Sequence, residues 1–423
     1  MKKICTLVLI VFLGFSCNSQ KTDTTAHYAR KNTNSQIVKL VGGNWFNGER
    51  FEKKTIWLKD GLIYFSNTEK KIDTIVDVSG KYVIPPFAEA HNHNLESKHE
   101  LDKRIKSYLD NGVFYVKLLS SIKKRIDPLM HHYNKPDGID VSMAHAPLTA
   151  NGGHPIRLRK KHLKYGYFRG LFNTIEEIEF HGYVTINKQE DLDHKWNKIL
   201  SFSPDFIKLN LLYSEEYEKR KNDTLYFGRK GLDPKLVPEI VKKAHANNLR
   251  VSAHVETAYD FHIAVNAGVD EIAHLPEISN GKLINKEDAI LAKEKGVTVV
   301  TTVSLVLKKQ KRKGYQDLVK NIVSNLRLLH QEGVTIAIGS DHYNGNSVGE
   351  FQFLYKLNIF SNHELLKMWT ENATRTIFPN RKVGALKEGH EASFLILNKN
   401  PLKDISNINK SIVTRVKQGS FLK

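Results

Sequence analysis

Between Asp233 and Ile338 the chain repeats one unit, an amphipathic helix followed by a short apolar strand, and this alternation sets the fold class. Asp233-Pro234 opens a helix through Val237, Ile240, Val241 and Ala244. That is an i, i+3, i+4, i+7 stripe, with proline in the first turn where its missing N–H costs nothing. The strand Arg250-Val251-Ser252-Ala253-His254 follows. Tyr259 to Ala267 reads as the next helix, Gly268 ends it, and Glu271-Ile272-Ala273-His274 reads as the next strand. Lys286 to Lys295 with Val297 to Val303, then Tyr315 to Gln331 with Val334 to Ile338, continue the series. Repeated βα units imply parallel strands joined by crossover helices. Eight of them close into an α/β TIM-type (β/α)8 barrel, for which residues 84–378 leave room.

Both flanks change period. Residues 37–83 carry short β-rich runs such as Thr55-Ile56-Trp57-Leu58 and Leu62-Ile63-Tyr64-Phe65, broken by Asn47-Gly48, Asp60-Gly61 and Ser79-Gly80. In residues 379–423, Ser393 to Leu397 and Ile412 to Val416 also read as strands. A small β-sheet domain built from both ends around the barrel is expected.

The ionisable residues fall where such a barrel would use them. Active sites of these folds lie at the C-terminal ends of the strands. His91 and His93 follow the apolar segment Tyr82 to Phe87, Lys208 follows Phe206-Ile207, and His254 and His274 close their strands. Asp341 follows Thr335 to Gly339. In an extended chain, i and i+2 face the same side, so a His-x-His pair can grip one ion. The intervals place these six groups on strands 1, 4, 5, 6 and 8. Singly, each has a plainer reading: a strand-end histidine, a salt-bridged lysine, a helix-capping aspartate. Jointly, in this order, they predict a metal centre.

Cysteine usage narrows the ligands. The chain has two cysteines, Cys5 and Cys17, both near its start. Lys2 and Lys3 precede the apolar run Leu7 to Phe15, which is too short to span a bilayer but suits a signal segment. Gly14-Phe15-Ser16-Cys17 resembles a lipobox. The expectation is a signal peptide over 1–16, lipidation at Cys17 and a polar tether over 17–36, giving an exported lipoprotein of the bacterial cell envelope facing the periplasm. Any metal ligands beyond that segment are then histidines and carboxylates. The formal charge is +19, two of it from Lys2 and Lys3. The basic residues are scattered (Lys123 to Arg125, Arg157 to Lys164, Lys308 to Lys313), which fits a solvated surface or an anionic lipid rather than nucleic acid.

The ordered set resembles the amidohydrolase superfamily over nearly the whole length after the leading segment. The matching pieces are Val83 to Phe87 before His91-Asn92-His93, Phe206 to Leu209, Val251 to Glu256, Ala267 to His274, Ile338 to Asp341, and Val383 to Gly389. Pro86 stands where glycine is usual and Ser393 where the tail generally has aspartate. The resemblance implies one or two divalent ions, zinc first, with manganese, iron or cobalt as alternatives. It places His91, His93 and Asp341 on the buried ion and His254 and His274 on the other. It makes Lys208, if N-carboxylated, the bridge.

Such a centre acidifies a bridging water and polarises a carbonyl, and Asp341 would pass the proton to the leaving group. Aminohydrolases of this superfamily usually carry Glu three residues after the strand-5 histidine; here that position is Thr257 and Glu256 lies at plus two, which disfavours deamination. The resulting expectation is a hydrolase of C–N amide bonds in a small molecule: a cyclic amide, an N-acyl compound or a dipeptide. Lactone, ester or phosphotriester hydrolysis at the same centre is the alternative, and a non-catalytic anchored binding protein the remaining one. The segments Ala146 to Pro155 and Tyr226 to Gly231 lie between the ligand strands, and His154, Tyr213 and Arg229 are the candidate substrate-binding residues.

Overall fold

The computed structural model describes residues 36–66, 71–276 and 283–422. The signal segment, Cys17 and the tether up to residue 35 lie outside the described residues. No helix among the described residues is long and apolar enough to cross a membrane.

Five strands open the described chain: β1 (Val38–Phe46), β2 (Phe51–Lys59), β3 (Leu62–Tyr64), β4 (Thr74–Asp77) and β5 (Tyr82–Ile84). The barrel strands follow as β6 (Phe87–Asn92), β7 (Val113–Leu118), β8 (Asp140–Met143) and β9 (Leu148–Thr149), with a side strand β10 (Val184–Thr185). They continue as β11 (Phe206–Asn210), β12 (Arg250–His254), β13 (Glu271–Ile272), β14 (Thr298–Val300) and β15 (Thr335–Ala337). Three strands end the chain: β16 (Phe394–Leu397), β17 (Ile412–Lys417) and β18 (Ser420–Leu422).

β6, β7 and β8 pair in parallel, and β9, β11, β12, β13, β14 and β15 form a second parallel run. The Ala90 N–H donates to the Ile338 carbonyl at 3.1 Å and joins the last strand to the first. Counting β8 and β9 as one interrupted strand, the ring has eight positions, and helices such as Val237–Ala246, Ala258–Ala267 and Tyr315–Gln331 cover it. The outer sheet runs β18-β17-β16-β5-β1-β2-β3, with β4 beside β1. Ile84 pairs with Leu395 and Val83 with Ile396, so the two chain ends share one sheet.

Local chemistry explains the segment ends. Thr257 and Asp260 form a reciprocal capping box at the helix Ala258–Ala267, and Gly268 closes it at φ 82°. Two segments end for physical reasons. The apolar segment Tyr82 to Phe87 is divided: β5 belongs to the outer sheet, and Pro85-Pro86, lacking N–H donors, release the chain into β6. The run Val297 to Val303 ends early at Val300, because the buried Glu350 carboxylate accepts the Val303 and Ser304 N–H groups at 2.7 and 2.8 Å and turns the chain.

The basic stretch Arg157 to Lys164 is also more than a solvated surface. It forms the helix Ile156–Lys164, and Ile156 and Arg159, three apart, both point inward. Beneath the sheet domain, Trp369 is stacked between Phe87 and Phe351, with centroids 3.8 and 4.4 Å away. This fixes the root of β6, from which the His-x-His pair extends.

Candidate metal centre

The C-terminal strand ends meet at the floor of one cavity of about 860 Å³, lined by His91, His93, His154, Lys208, His254, His274 and Asp341 among others. The His91 Nε2 and His93 Nε2 atoms stand 3.3 Å apart, and Asp341 Oδ1 lies 3.7 Å from the first and 3.5 Å from the second. His91 Nδ1 donates to the Ala273 carbonyl at 2.7 Å, which leaves its lone pair on Nε2, facing the cluster. Burial, and then Lys208, hold this ring well below the usual histidine range, so it is neutral. His93 Nδ1 is held by Glu96 Oε1 at 2.8 Å, so its Nε2 too points at Asp341. Burial opposes protonation of His93, but Glu96 and Asp341 outweigh it, so the site favours a positive charge at this point.

Asp341 owes its position to a clamp. Its φ of 50° is left-handed, which a non-glycine residue holds only when the surroundings impose it. Its N–H donates to the His91 carbonyl at 2.7 Å, while Glu89 accepts from the Ser340 N–H at 2.7 Å and the Ser340 hydroxyl at 2.6 Å. Burial pushes the Glu89 carboxyl up to about 8. Gly339, just before, packs directly against β6; a Cβ there would meet His91 N at 2.6 Å. Burial likewise raises Asp341 above the ordinary carboxylate range, against the pull of His93 and Lys208.

On the other side, His274 Nε2 and His254 Nδ1 are 2.6 Å apart, His254 Nε2 is buried with no hydrogen-bond partner and with Glu256 Oε2 at 3.6 Å, and the His154 ring stacks on His254 at 4.9 Å. Lys208 Nζ is also buried with no hydrogen-bond partner. Burial lowers this amine to about 7, offset in part by Glu271 and Asp341.

This donor set fits divalent metal. Two ligands on an ion at ~2.1 Å stand about 3.0–3.4 Å apart, close to the spacing of His91, His93 and Asp341. Their donor atoms all lie within 4.8 Å of one another, the one such cluster among the described residues. The two buried orphans, Lys208 Nζ and His254 Nε2, are groups that cost free energy unless something binds them. The His254–His274 contact is a ring-to-ring hydrogen bond, and the pair must open by roughly half an ångström to share an ion.

Of the three candidate substrate residues, the cavity lining includes His154 and neither Tyr213 nor Arg229. Tyr213 lies under the Arg220 guanidinium at 3.7 Å, and Arg229 is exposed and donates to the Leu225 carbonyl at 2.9 Å. The segments that carry His154 and Arg229 do join, through Gly228 N–H to the Gly152 carbonyl at 2.7 Å and His154 N–H to the Lys230 carbonyl at 3.0 Å. Glu89, Glu96 and Arg159 were not singled out from sequence. Glu89 carried a usable signal, since in β6 it sits two residues before His91 on the same face. Arg159 carried none within its basic run.

A parallel barrel with histidines, a lysine and an aspartate converging at its strand ends defines a class, the barrel metallohydrolases. Within it, the amidohydrolase family matches residues 210–421, half of the chain, and the protein belongs to that family. Ochratoxinase of Aspergillus niger is 30% identical over 202 residues, 45% of this chain and 41% of that one, so the alignment spans less than half of that relative. In structure, A. niger ochratoxinase superposes with a TM-score of 0.72 at 20% identity, over 91% of this chain and 95% of the other. A Xaa-Pro dipeptidase with bound methionine gives 0.70 at 17% identity, over 92% and 100%.

Proposed function

We propose that this protein hydrolyses a C–N amide bond in a small molecule, an N-acyl compound, a dipeptide or a cyclic amide. The observation that carries the reading is the convergence of four histidines, Lys208 and Asp341 on the floor of one cavity large enough for such a substrate. The relatives' names agree in kind, one being a dipeptidase. His91, His93 and Asp341 would hold one divalent ion and His254 and His274 a second. Lys208, whose buried amine has no partner, would lie between them as a carbamate. When bound, such ions acidify a coordinated water to near-neutral pKa and polarise the carbonyl under attack. The chain's own contribution is placement and proton transfer. Asp341, set against both His91 and His93, takes the proton of the attacking water and hands it to the departing amine. The Ala273 carbonyl fixes the tautomer of His91, and Glu96 orients the His93 ring.

The test is a substrate panel on purified, metal-analysed protein: dipeptides and N-acyl amines against lactones, aryl esters and a phosphotriester. Amide turnover that a chelator abolishes and divalent metal restores is expected. Ester or lactone turnover with no amide cleavage would overturn the choice of bond. Fewer than about 0.5 ions per chain after reconstitution would overturn the metallohydrolase itself.

A further inference from the structure

One wall of the cavity carries cationic charge that the protein does not balance. Arg159 is only 5% exposed, and its guanidinium donates to neutral acceptors, Nε to the Gly182 carbonyl at 3.2 Å and Nη2 to the Ser120 hydroxyl. Arg125, half-buried on the same wall, makes no side-chain hydrogen bond or ion pair among the described residues. A third guanidinium, Arg104, donates to the Asn94 carbonyl. The nearby carboxylate whose field bears on both Arg125 and Arg159 is Glu96, and its Oε1 is already bound to His93 at 2.8 Å. Buried guanidinium groups are stable when paired, and an unpaired one is costly. Burial draws both arginines below their usual range, with Glu96 pulling the other way.

The position of this charge matters. Arg159 lines the same cavity as His93 and His154 and bears electrostatically on both. Leu119, Ile122, Leu158 and Phe168 line the cavity beside it. An apolar wall with two guanidiniums facing one floor suits a group that is both greasy and anionic. A planar guanidinium binds a carboxylate through two parallel N–H···O bonds, which also fixes its direction.

We infer that Arg159 and Arg125 form a carboxylate-binding subsite, so that the substrate is an amide whose amine or acyl part carries a free acid next to an apolar side chain. The inference rests on the proposed amide hydrolysis for its substrate class, but the subsite itself is testable without turnover. Held there, the acid anchors one end of the substrate while the amide carbonyl lies over His91 and His93. Arg229, considered from sequence for the same task, stands outside the cavity.

The experiment uses matched probes. N-acetyl-glycine, -leucine, -phenylalanine and -proline are compared with the corresponding N-acetyl amines lacking the carboxylate, on wild type, Arg159→Leu, Arg159→Lys and Arg125→Gln. Separately, calorimetry measures binding of 3-phenylpropanoate and of its neutral amide to each protein. Wild type should show a KM for its best acid at least about tenfold below that of the matched neutral amide, as one charge-assisted pair is expected to give. Arg159→Leu and Arg125→Gln should raise that KM by about tenfold or more, a loss several times larger than any change in kcat/KM on the neutral amide, and weaken phenylpropanoate binding equally. Arg159→Lys should recover part of the loss. Equal kcat/KM on acid and neutral substrates in wild type, or parallel loss on both in Arg125→Gln, would overturn the subsite while leaving amide hydrolysis standing. If no amide is cleaved, the proposed reaction fails, and calorimetry then decides the subsite alone. Phenylpropanoate binding that Arg125→Gln weakens at unchanged metal content upholds it, and absent or unaltered binding overturns it.

Discussion

Replacing Lys117 by methionine should cost this protein about 3–5 kcal/mol at pH 8, and nearly all of the cost should vanish in mild acid. Lys117 Nζ lies 2.7 Å from Glu271 Oε2 inside the barrel, the side chains being 3% and 1% exposed. The amine also donates to the Thr376 carbonyl at 3.2 Å. Glu271 accepts from the Ser252 hydroxyl at 2.6 Å and from the Thr376 hydroxyl. Burial alone would raise the Glu271 carboxyl, but Lys117 and the two hydroxyls outweigh it and hold it below its usual value. In the wild type this group therefore contributes stability above its unfolded pKa, lost as pH falls through the lower folded one.

The variant reverses the sign. With two hydroxyl donors and its Lys117 partner gone, burial raises the carboxylate's folded pKa above its unfolded value. Stability of Lys117→Met is then fully present below about pH 4 and lost as pH rises through that raised value. Urea unfolding followed by circular dichroism at pH 8, 6.5 and 5 should show the two proteins converging towards acid. A loss under about 1 kcal/mol at pH 8, or an equal loss at pH 5 and pH 8, would refute the reasoning. The double variant Lys117→Met/Glu271→Leu should return to within about 1.5 kcal/mol of wild type, since a buried pair exchanged whole for apolar groups leaves no stranded charge.

Three further outcomes follow from the metal centre. Asp341→Asn should lower kcat by about 10²–10⁴-fold with an unchanged unfolding midpoint, read by steady-state kinetics and thermal unfolding. Lys208→Ala should lose activity that short carboxylic acids partly restore; full activity without them would argue against a bridging carbamate. Gly339→Ala should cost about 1–3 kcal/mol and reduce bound metal measured by elemental analysis, because its Cβ would meet His91 N and Val300 Cγ1, each at 2.6 Å.

The convergence of His91, His93, Lys208, His254, His274 and Asp341 could be anticipated because each is a polar group in or just beyond an apolar strand, Lys208 lying inside β11 rather than at its end, and barrel topology does the rest. Helix positions such as Tyr315–Gln331 were legible for the same reason, as periodicity is local. What escaped was set by contacts across the sequence. Glu89 matters through Ser340, 251 positions away, and no pattern around either residue reports the other. Arg159 sits in a run of lysines and arginines, and only the packing of Ile156–Lys164 separates the one buried cation from its solvated neighbours. Tyr213 and Arg229 stand outside the cavity lining because loop residues between ligand strands face it only when the loop folds inward; here cation–π stacking on Arg220 and a loop carbonyl hold them elsewhere.

The sheet shared by the two chain ends imposes an order of assembly. Ile84 cannot find Leu395 until the entire barrel has emerged, whether from a ribosome or across a membrane, amino terminus first. At typical synthesis rates the roughly 300 intervening residues take about 15–60 s, during which β5 presents an unpaired edge. The first strands to be made are thus among the last to be completed. A version permuted so that β16 to β18 precede β1 would close that sheet at the outset, and earlier protease resistance of the growing chain would register how much waiting the natural order imposes.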